Sequence, residues 1–328
     1  MKNPDLIRIE SVLKTLPPDL ITYAKKLIAK REESVETAVM AQETDDSVKE
    51  CPRCGCKEIA KWGYANGKRR FKCLNEGKTE DGSKACGKTF NALTGTPLAR
   101  LRLREKHLDN AACMLDGLSV RKTARRLGVN KKTAFRWRHR FLEEISKIQP
   151  AKLSGAVEAD ETFFRMSFKG QRGGLPRKAY KRGTKAELRG LSRWQVPVLV
   201  ARDRSTGETL SIKLPSRSIA GIEPELAPRL APDSTLYCDG YKAYRKIAQK
   251  AGFAVKVVKT NPKHITSGPN HLNNVNNFHQ RLKSWLFPFQ GVASKYLGNY
   301  VGWHRWIESR KRNRKGKAKD FLLASIAR

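Results

Sequence analysis

Apolar and polar residues follow a helical spacing at the start of this chain and a strand-like alternation in its second half. Residues 1–47 carry two apolar stripes at helical spacing, one on each side of Pro17 and Pro18. The stripes predict two amphipathic helices. The pattern leaves open whether their apolar faces pack on the rest of the chain, contact DNA or pair with a second copy.

A second helical pattern, between residues 105 and 148, predicts two helices joined by a tight turn. Ser119 and Asn130 stand where helix N-caps are expected, and Gly128 stands in the turn. The second helix, residues 131–145, would direct these side chains outward: Lys131, Lys132, Thr133, Arg136 and Arg138. A basic helix is often only a solvated face, but after a helix and a glycine turn it favours a helix-turn-helix that contacts the DNA major groove.

Residues 156–164 are predicted to form a short strand that carries acids. One face of the strand would hold Val157, Ala159 and Glu161, and the other Glu158, Asp160 and Thr162. An unpaired buried charge costs several kcal/mol, so acids in a central strand usually bind a metal or another cation. The alternative is an edge strand with solvated acids.

Two later segments carry polar residues that could bind the same metal ion as the acids of this strand. Residues 234–238 are strand-like and end in Asp239, next to Gly240, a common place for a functional carboxylate in an α/β sheet. Near residues 271–286 the pattern is helical, with one apolar face formed by Leu272, Val275, Leu282 and Leu286. Asn276 and Lys283 are seven residues apart and share another face. Two aspartates and an amide could therefore meet at one metal site.

Five of the seven cysteines lie before residue 90, in a pattern typical of a metal knuckle. The predicted ligands of one structural Zn²⁺ are Cys51, Cys54, Cys73 and Cys86. Cys56 competes with Cys54 for this role, and the polar residues 74–84 are expected to form an inserted loop. The apolar contacts of this small fold are expected from Trp62, Tyr64 and Phe71.

The charge of the chain predicts that its binding partner is a polyanion. The chain of 328 residues has a formal net charge of +36, which favours nucleic acid over a membrane surface. It has no apolar run long enough for a membrane span and no apolar signal core at its start, and clustered cysteines fit a reducing compartment, so we expect a cytoplasmic protein. Residues 165–193 contain a single acid, Glu187, and are expected to form a basic loop that contacts phosphates.

Three motifs together resemble those of the DDE-type insertion-sequence transposases, in the subgroup that places a zinc ribbon and a helix-turn-helix before an RNase H-like catalytic domain. The first is VEADET at residues 157–162, and the second is DGYKAY at residues 239–244. The third is HLNNVNNF at residues 271–278, with Lys283 in the expected place. The resemblance extends from the first cysteines to about residue 308.

This resemblance implies a multidomain α+β fold. Its expected parts are an N-terminal helical segment (1–47), a zinc ribbon (48–100), a helix-turn-helix DNA-binding domain (101–150), an RNase H-like α/β catalytic domain (151–310) and a basic C-terminal tail (311–328). For the catalytic domain we expect the element order β-β-β-α-β-α-β-α, which is partly our interpretation of the pattern and partly what the resemblance implies.

The resemblance also implies a two-metal-ion transposase that binds the terminal repeats of a DNA element and cleaves and joins strands. Asp160, Asp239 and Asn276 would hold two Mg²⁺ ions, with Mn²⁺ as a substitute, and Lys283 would offset phosphate charge or position water. Double-stranded DNA would be the partner, at the element ends and at the target, and we expect a homodimer.

Asn276 leaves an alternative open because an amide brings no charge. Glu158 or Glu161 could supply the missing carboxylate, although strand geometry directs Glu161 away from Asp160. A catalytically decayed, transposase-derived DNA-binding regulator would fit the first two domains equally well. A structure-selective nuclease would retain the chemistry but not the joining step.

Overall fold

The computed structural model describes residues 4–75, 86–171, 173–177, 192–258, 268–312 and 318–326, which belong to two units, Met1–Leu108 and Asp109–Arg328. Most of the loop expected at residues 74–84, and residues 178–191 of the expected basic loop, lie outside the described residues. Within the described ranges, no helix is long and apolar enough to cross a membrane.

The first unit begins with the two helices that the apolar stripes predict. Helix α1 spans Pro4–Thr15 and helix α2 spans Pro18–Asp46. Pro18 suits the start of α2 because the first N–H groups of a helix have no partner within it. Large apolar side chains remain exposed along both helices: Ile9, Val12, Leu13, Leu20, Tyr23, Leu27, Ile28 and Val39.

A three-stranded antiparallel sheet follows in the same unit. Its strands are β1 (Ile59–Ala65), β2 (Lys68–Cys73) and β3 (Thr89–Phe90), in the order β1-β2-β3. Asn66 and Gly67 both have positive φ angles, 50° and 68°, which is the geometry of a two-residue hairpin turn. Phe71 and Phe90 stack with ring centroids 5.7 Å apart and form the buried core with Cys51 and Cys73.

Two of the three aromatic residues expected in this core are not there. Trp62 is 49% exposed and Tyr64 is 65% exposed, so their assignment to the core is wrong. The stacked pair of phenylalanines and the cysteines fill the small core, and the two outer rings instead lie beneath cations. Lys72 Nζ lies 4.9 Å from the Trp62 ring centroid, and Arg69 Cζ lies 4.9 Å from that of Tyr64.

Three helices then form the predicted helix-turn-helix: α3 (His107–Leu115), α4 (Val120–Leu127) and α5 (Lys131–Ile145). Ser119 caps α4 by accepting the N–H of Lys122 on its hydroxyl, and Asn130 caps α5 by accepting the N–H of Lys132 on Oδ1. Gly128 ends α4 with a φ of 59°, a left-handed conformation that glycine adopts at little cost.

The second unit contains a five-stranded mixed sheet in the order β6-β5-β4-β7-β8. The strands are β4 (Ala156–Arg165), β5 (Gln195–Asp203), β6 (Thr209–Lys213), β7 (Thr235–Cys238) and β8 (Ala254–Val257). The first three strands pair antiparallel, and β7 and β8 pair parallel beside β4. Helices α6 (Ile219–Leu226), α7 (Lys242–Ala251) and α8 (Asn273–Leu286) complete the predicted order β-β-β-α-β-α-β-α.

Helices cover both faces of this sheet. One core is formed between the sheet and the helices α6 and α7, where Val157, Ala159 and Cys238 pack with Ile222 and Tyr244. On the other side, α8 packs on β4 and β5, and α9 (Leu297–Arg312) packs on β6. This layered arrangement with its strand order is that of an RNase H-like domain.

The end of the chain is not only a basic tail, as was expected for residues 311–328. Helix α10 spans Ala318–Ala324, and its Phe321 is fully buried with its ring centroid 4.8 Å from that of Trp306 on α9. Burial of this aromatic side chain is favourable and anchors the last helix to the second unit. Residues 313–317 and 327–328 lie outside the described part.

Candidate active site and metal centres

Asp160 and Asp239 lie level with one another on adjacent parallel strands. The last paired residues of β4 and β7 are Ala159 and Cys238, and each aspartate comes directly after one of them. Neighbouring strands are about 4.8 Å apart, so the two carboxylates stand side by side at the same edge of the sheet. Ala159 and Cys238 face the core on the α6 and α7 side. The alternation of a strand therefore directs Asp160 to the opposite face, where α8 packs.

The electrostatics at Asp160 favour a bound cation. Burial is the main cause that raises the pKa of Asp160, to about 7, and the negative charges of Glu161 and Asp239 act in the same direction. The N–H of Glu161, which donates to Oδ1 at 2.8 Å, and the positive charge of Arg217 act to lower this pKa. A carboxylate in this setting is stabilised by a proton or a metal ion, because either one neutralises part of the local negative charge.

Asn276 and Lys283 are both exposed on α8, on the face that their spacing predicts. The opposite face anchors the helix through a buried apolar row: Val275, Phe278, Leu282 and Leu286. Lys283 lies two turns after Asn276, about 10 Å further along the helix axis. The predicted amide and cation therefore lie on one exposed line of the helix that packs on the strand of Asp160.

Glu158 fixes the start of α8 and is not available as a third metal-binding acid. Its side chain is fully buried, and Oε2 accepts the N–H of Val275 at 3.0 Å. Oε1 accepts hydrogen bonds from Asn274 Nδ2 at 2.8 Å and from Arg204 Nε at 2.8 Å. His271 Nδ1 lies 3.2 Å from the same oxygen.

The carboxylate of Glu161 is likewise engaged in hydrogen bonds, on the other face of β4. Its carboxylate accepts hydrogen bonds from the Tyr244 hydroxyl at 2.6 Å and from Arg217 Nε at 2.7 Å. Burial raises the pKa of Glu161, while Tyr244 and Arg217 act in the opposite direction. Neither glutamate therefore replaces the charge that Asn276 lacks.

Arg217 is a residue of the site that the sequence patterns do not reveal. Its Nη2 lies 3.3 Å from Asp239 Oδ2, so one guanidinium joins Glu161 to Asp239. The guanidinium also lies 3.9 Å from the ring centroid of Tyr241. Arg217 stands in the segment between β6 and α6, where a single basic residue carries no pattern. The sequence hinted at this network only through Tyr241 and Tyr244 of the second motif. Tyr241 lies beneath the Arg217 guanidinium, and Tyr244 donates to Glu161.

The four predicted zinc ligands form one cluster. The Sγ atoms of Cys51, Cys54, Cys73 and Cys86 all lie within 4.8 Å of one another. Cys56 is directed elsewhere, with its Sγ 3.8 Å from the carbonyl oxygen of Glu58. The choice between Cys54 and Cys56 is thereby made in favour of Cys54.

Thiolate chemistry in this cluster suits a metal ion. Burial acts to raise the pKa of Cys51, but hydrogen bonds from the backbone of Arg53 and Cys54 and from the neighbouring thiols lower it to about 7. Burial raises the pKa of Cys73 to about 12. A metal ion would stabilise the thiolate form of both, and four sulfur ligands are the set that structural Zn²⁺ prefers.

The outer face of α5 carries four of the five predicted DNA contacts. Lys131, Lys132 and Arg136 are exposed, and Thr133 is partly exposed. Arg138 is 1% exposed, so its predicted outward orientation is wrong. Its Nη2 donates to the carbonyl of Leu118 and to the Thr123 hydroxyl, and its guanidinium lies 5.1 Å from the Trp303 ring centroid. Four residues after Ala134, it faces the inside of the domain rather than the solvent.

The chain matches two families of known domains. Residues 152–308 match the ISXO2-like transposase domain, and residues 101–145 match a homeodomain-like domain. The chain is also similar to an uncharacterized protein in transposable element ISH50 of Halobacterium salinarum. The identity is 28% over 254 residues, which cover 76% of this chain and 82% of that protein.

Solved structures give weaker similarities. A simian T-cell lymphotropic virus intasome in complex with PP2A regulatory subunit B56 gamma has 11% identity and a TM-score of 0.30, covering 60% of this chain and 67% of that chain. A pre-cleavage Mos1 transpososome has 12% identity and a TM-score of 0.22, covering 67% and 79%. Because both TM-scores are low, the RNase H-like assignment rests on the strand order.

The order of strands, the pair of aspartates at their edge and the two domain matches agree. Residues 152–308 of this chain match the ISXO2-like transposase domain, in agreement with the resemblance that the three motifs carry, and they follow the match to a homeodomain-like domain.

Proposed function

We propose that this protein binds the terminal repeats of a DNA insertion element and catalyses metal-dependent cleavage and transfer of the DNA strands. The observation that carries the proposal is the alignment of Asp160 and Asp239 at the same edge of the sheet, on the side where α8 brings Asn276. The match of residues 152–308 to a transposase domain supports the same reaction.

The donor atoms of this site fit a hard divalent cation. Asp160, Asp239 and Asn276 offer only oxygen ligands, which Mg²⁺ and Mn²⁺ prefer, and the raised pKa of Asp160 marks a position where positive charge is favoured. These residues would hold two ions, which when bound would activate the attacking oxygen and stabilise the leaving oxygen at the scissile phosphate.

The remaining groups of the site act on charge and position. Lys283 would lie beside the phosphates of the bound strand and offset their charge. Arg217 would hold Asp239 in its orientation through the 3.3 Å contact, and Glu158 would hold α8 against β4. Both are positioning residues, because neither carries a free group toward the reacting atoms.

Separate parts of the chain would serve structure, DNA contact and catalysis. We assign residues 48–100 to a zinc ribbon built on one structural Zn²⁺ and residues 101–150 to the domain that contacts double-stranded DNA. We assign residues 151–310 to catalysis. Because Arg138 is buried, the proposed DNA contacts are the other four residues of α5: Lys131, Lys132, Thr133 and Arg136. A protein acting on the DNA of a prokaryotic cell would work in the cytoplasm, at the nucleoid.

We further propose that the N-terminal helices pair with those of a second copy. Residues 1–47 contain nine acidic and seven basic residues, whereas the whole chain carries +36, so this segment is poorly suited to bind DNA. Helix α2 is basic at Lys25 and Lys26 and acidic at Asp45 and Asp46. Two α2 helices in antiparallel orientation would bury their apolar stripes and match opposite charges, as a two-fold symmetric dimer requires.

A second function is favoured by one observation, the uncharged Asn276 at the third position. A DNA-binding regulator that has lost catalysis would keep the cysteine cluster and the helix-turn-helix. A structure-selective nuclease would cleave DNA without joining it.

The test is cleavage and joining of labelled DNA that carries the element's own ends, with Mg²⁺ or Mn²⁺. We expect joined products from the unchanged protein and none from Asp160→Ala. Specific binding of the ends without nicking under either metal would instead support the regulator. Nicking without joined products would support the nuclease.

A further inference from the structure

Helix α8, which packs on β4 and β5, presents one continuous exposed line of side chains. Residues 4, 7 and 11 positions apart return to nearly the same direction on a helix. The line is formed by Asn276, Gln280, Lys283 and Phe287, all of them exposed. Phe287 caps α8 with helical angles, φ −55° and ψ −45°, so the line continues to this residue.

Phe287 is unusual because it is an aromatic side chain that contacts solvent at the end of a catalytic helix. It is 74% exposed, the highest value among the large apolar side chains that the structure describes. Its neighbours on the same turn are packed: Leu286 is buried, and the Phe289 ring lies 5.0 Å from Trp285 and 5.1 Å from Tyr300. The exposure of Phe287 is therefore not a consequence of a loose turn.

A cavity of about 700 Å³ lies directly beside this ring. It is mainly apolar, and its walls include Phe163, Phe164, Lys283, Leu286 and Phe287. Phe164 is four residues after Asp160 on β4 and on the same strand face, so this wall of the cavity lies about 13 Å along the strand from Asp160. The described residues that line it include the cations Arg165, Lys169, Arg177 and Lys283 and no acid.

We propose that this cavity and Phe287 hold a base of the bound DNA that has left the double helix near the scissile phosphate. This inference rests on the proposed function and deepens it. Asn276 and Phe287 are about 16 Å apart along the helix axis, and phosphates of one strand of B-form DNA are 3.4 Å apart, so the base would lie a few nucleotides from the cleaved bond.

The chemistry of the cavity matches a nucleotide. Every base has an aromatic face that can stack on a phenyl ring, and the apolar walls provide the dry surroundings that a flipped base requires. Lys283, between Asn276 and Phe287, would contact the phosphate that precedes the displaced base. A cationic rim without acids favours the negatively charged phosphates of the DNA backbone.

The first test measures base displacement without catalysis. Asp160→Ala protein is bound to element-end DNA carrying a single 2-aminopurine, which is moved through the positions around the scissile phosphate. We expect a rise in fluorescence at one position or two adjacent positions, because 2-aminopurine brightens when it leaves the stack. The rise should be lost in Asp160→Ala/Phe287→Ala and also in Asp160→Ala/Phe287→Leu, which keeps an apolar group but no ring.

The second test measures rescue in protein with an intact metal site. Base stacking on an aromatic ring is worth enough to change a rate by about tenfold or more, so Phe287→Ala should nick fully paired ends at least about tenfold more slowly. A mismatch at the same position removes the cost of unpairing and should restore most of the rate. Tyr64→Ala, which removes another exposed ring, is the matched control and should change neither signal.

The outcomes separate this inference from the proposed function. Nicking by the unchanged protein without any fluorescence rise in the Asp160→Ala complex would overturn base capture alone. A rise at one position with no nicking under either metal would overturn the transposase activity but not base capture. A slow Phe287→Ala protein that a mismatch does not rescue would assign Phe287 to the contact of another protein or to folding, and an unchanged thermal midpoint would exclude folding.

Discussion

The carboxylate of Glu158 accepts a hydrogen bond from the backbone N–H of Val275 at 3.0 Å, although the two residues are 117 positions apart. Glu158 stands two residues before Asp160, and Val275 stands one residue before Asn276. This bond therefore joins the strand that carries the first acid to the helix that carries the amide. A buried carboxylate outside the set of proposed metal ligands thus determines where two of those ligands lie.

Removing this carboxylate should cost both stability and activity. Glu158→Ala leaves Arg204 without its acidic partner and the first turn of α8 without an acceptor. Breaking one half of a buried ion pair costs about 3 kcal/mol, which urea unfolding would measure. Strand cleavage should fall more than the loss of folded protein explains, because α8 is no longer fixed against β4.

Glu208→Ala is the control for this prediction, since Glu208 is an exposed acid in the turn between β5 and β6. It should leave both stability and cleavage within error of the unchanged protein. Equal effects of the two substitutions would show that Glu158 does not organise the site.

Because Asn276 brings no charge to the proposed metal site, replacing it by aspartate should change the Mg²⁺ concentration that cleavage requires. Asn276→Asp adds a carboxylate beside Asp160 and Asp239, and a further negative ligand increases the attraction for a divalent ion. We expect the Mg²⁺ concentration for half-maximal cleavage to fall by about tenfold. Asn276→Ala should raise it and slow cleavage. A Mg²⁺ titration that is the same for all three proteins would remove Asn276 from the metal site.

The cysteine cluster predicts which thiol the zinc unit needs. Cys54→Ser removes one of four ligands, so metal content should fall, and the small sheet should unfold because structural Zn²⁺ supplies folding free energy. Cys56→Ser should keep about one zinc per chain, since its Sγ contacts a backbone carbonyl outside the cluster. Atomic absorption of the purified proteins measures both. A chelator should have the same effect as Cys54→Ser.

Arg136 and Arg138 differ by two positions and should behave in opposite ways. Arg136→Ala should weaken binding to element ends and reduce the slope of log K against log salt by about 1, because one phosphate contact is lost. Arg138→Ala should leave that slope unchanged and lower the thermal midpoint, since its hydrogen bonds to Leu118 and Thr123 are internal. An equal reduction of the salt slope in both variants would show that Arg138 contacts DNA.

Sequence patterns predicted the features that depend on neighbouring residues and were less successful where distant segments meet. The caps Ser119 and Asn130, the strand of Asp160 and the buried row of α8 follow from local spacing, and they are present. Arg138 stands four residues after the buried Ala134, so spacing favours the inner face of α5 whereas its charge favours the outer face. The packing of Trp303 against its guanidinium shows that the inner position prevails.

The network around Arg217 could not be predicted for a related reason. Its partners Glu161, Asp239 and Tyr241 come from three segments, and no spacing within one segment connects them. Trp62 and Tyr64 were assigned to a core because small folds need apolar contacts. The sheet instead fills that core with Phe71, Phe90 and cysteine sulfur, so the number of aromatic residues exceeded the space available.

The exposed stripe of α2 leads to a prediction about assembly. Leu27 lies in the middle of the stripe, and Leu27→Lys would place a charge where a second copy is expected to bury an apolar side chain. Sedimentation equilibrium should give a mass of twice 37.1 kDa for the unchanged protein and a shift toward 37.1 kDa for the variant. Thr22→Lys adds the same charge on the face of α2 opposite to the stripe, at a residue whose hydroxyl donates to Pro18 within its own helix, and should remain dimeric. Joining of two element ends should fall with dimerisation in Leu27→Lys, while binding of a single end should persist, because α5 is unchanged. A monomeric mass for the unchanged protein bound to DNA would contradict pairing through α2.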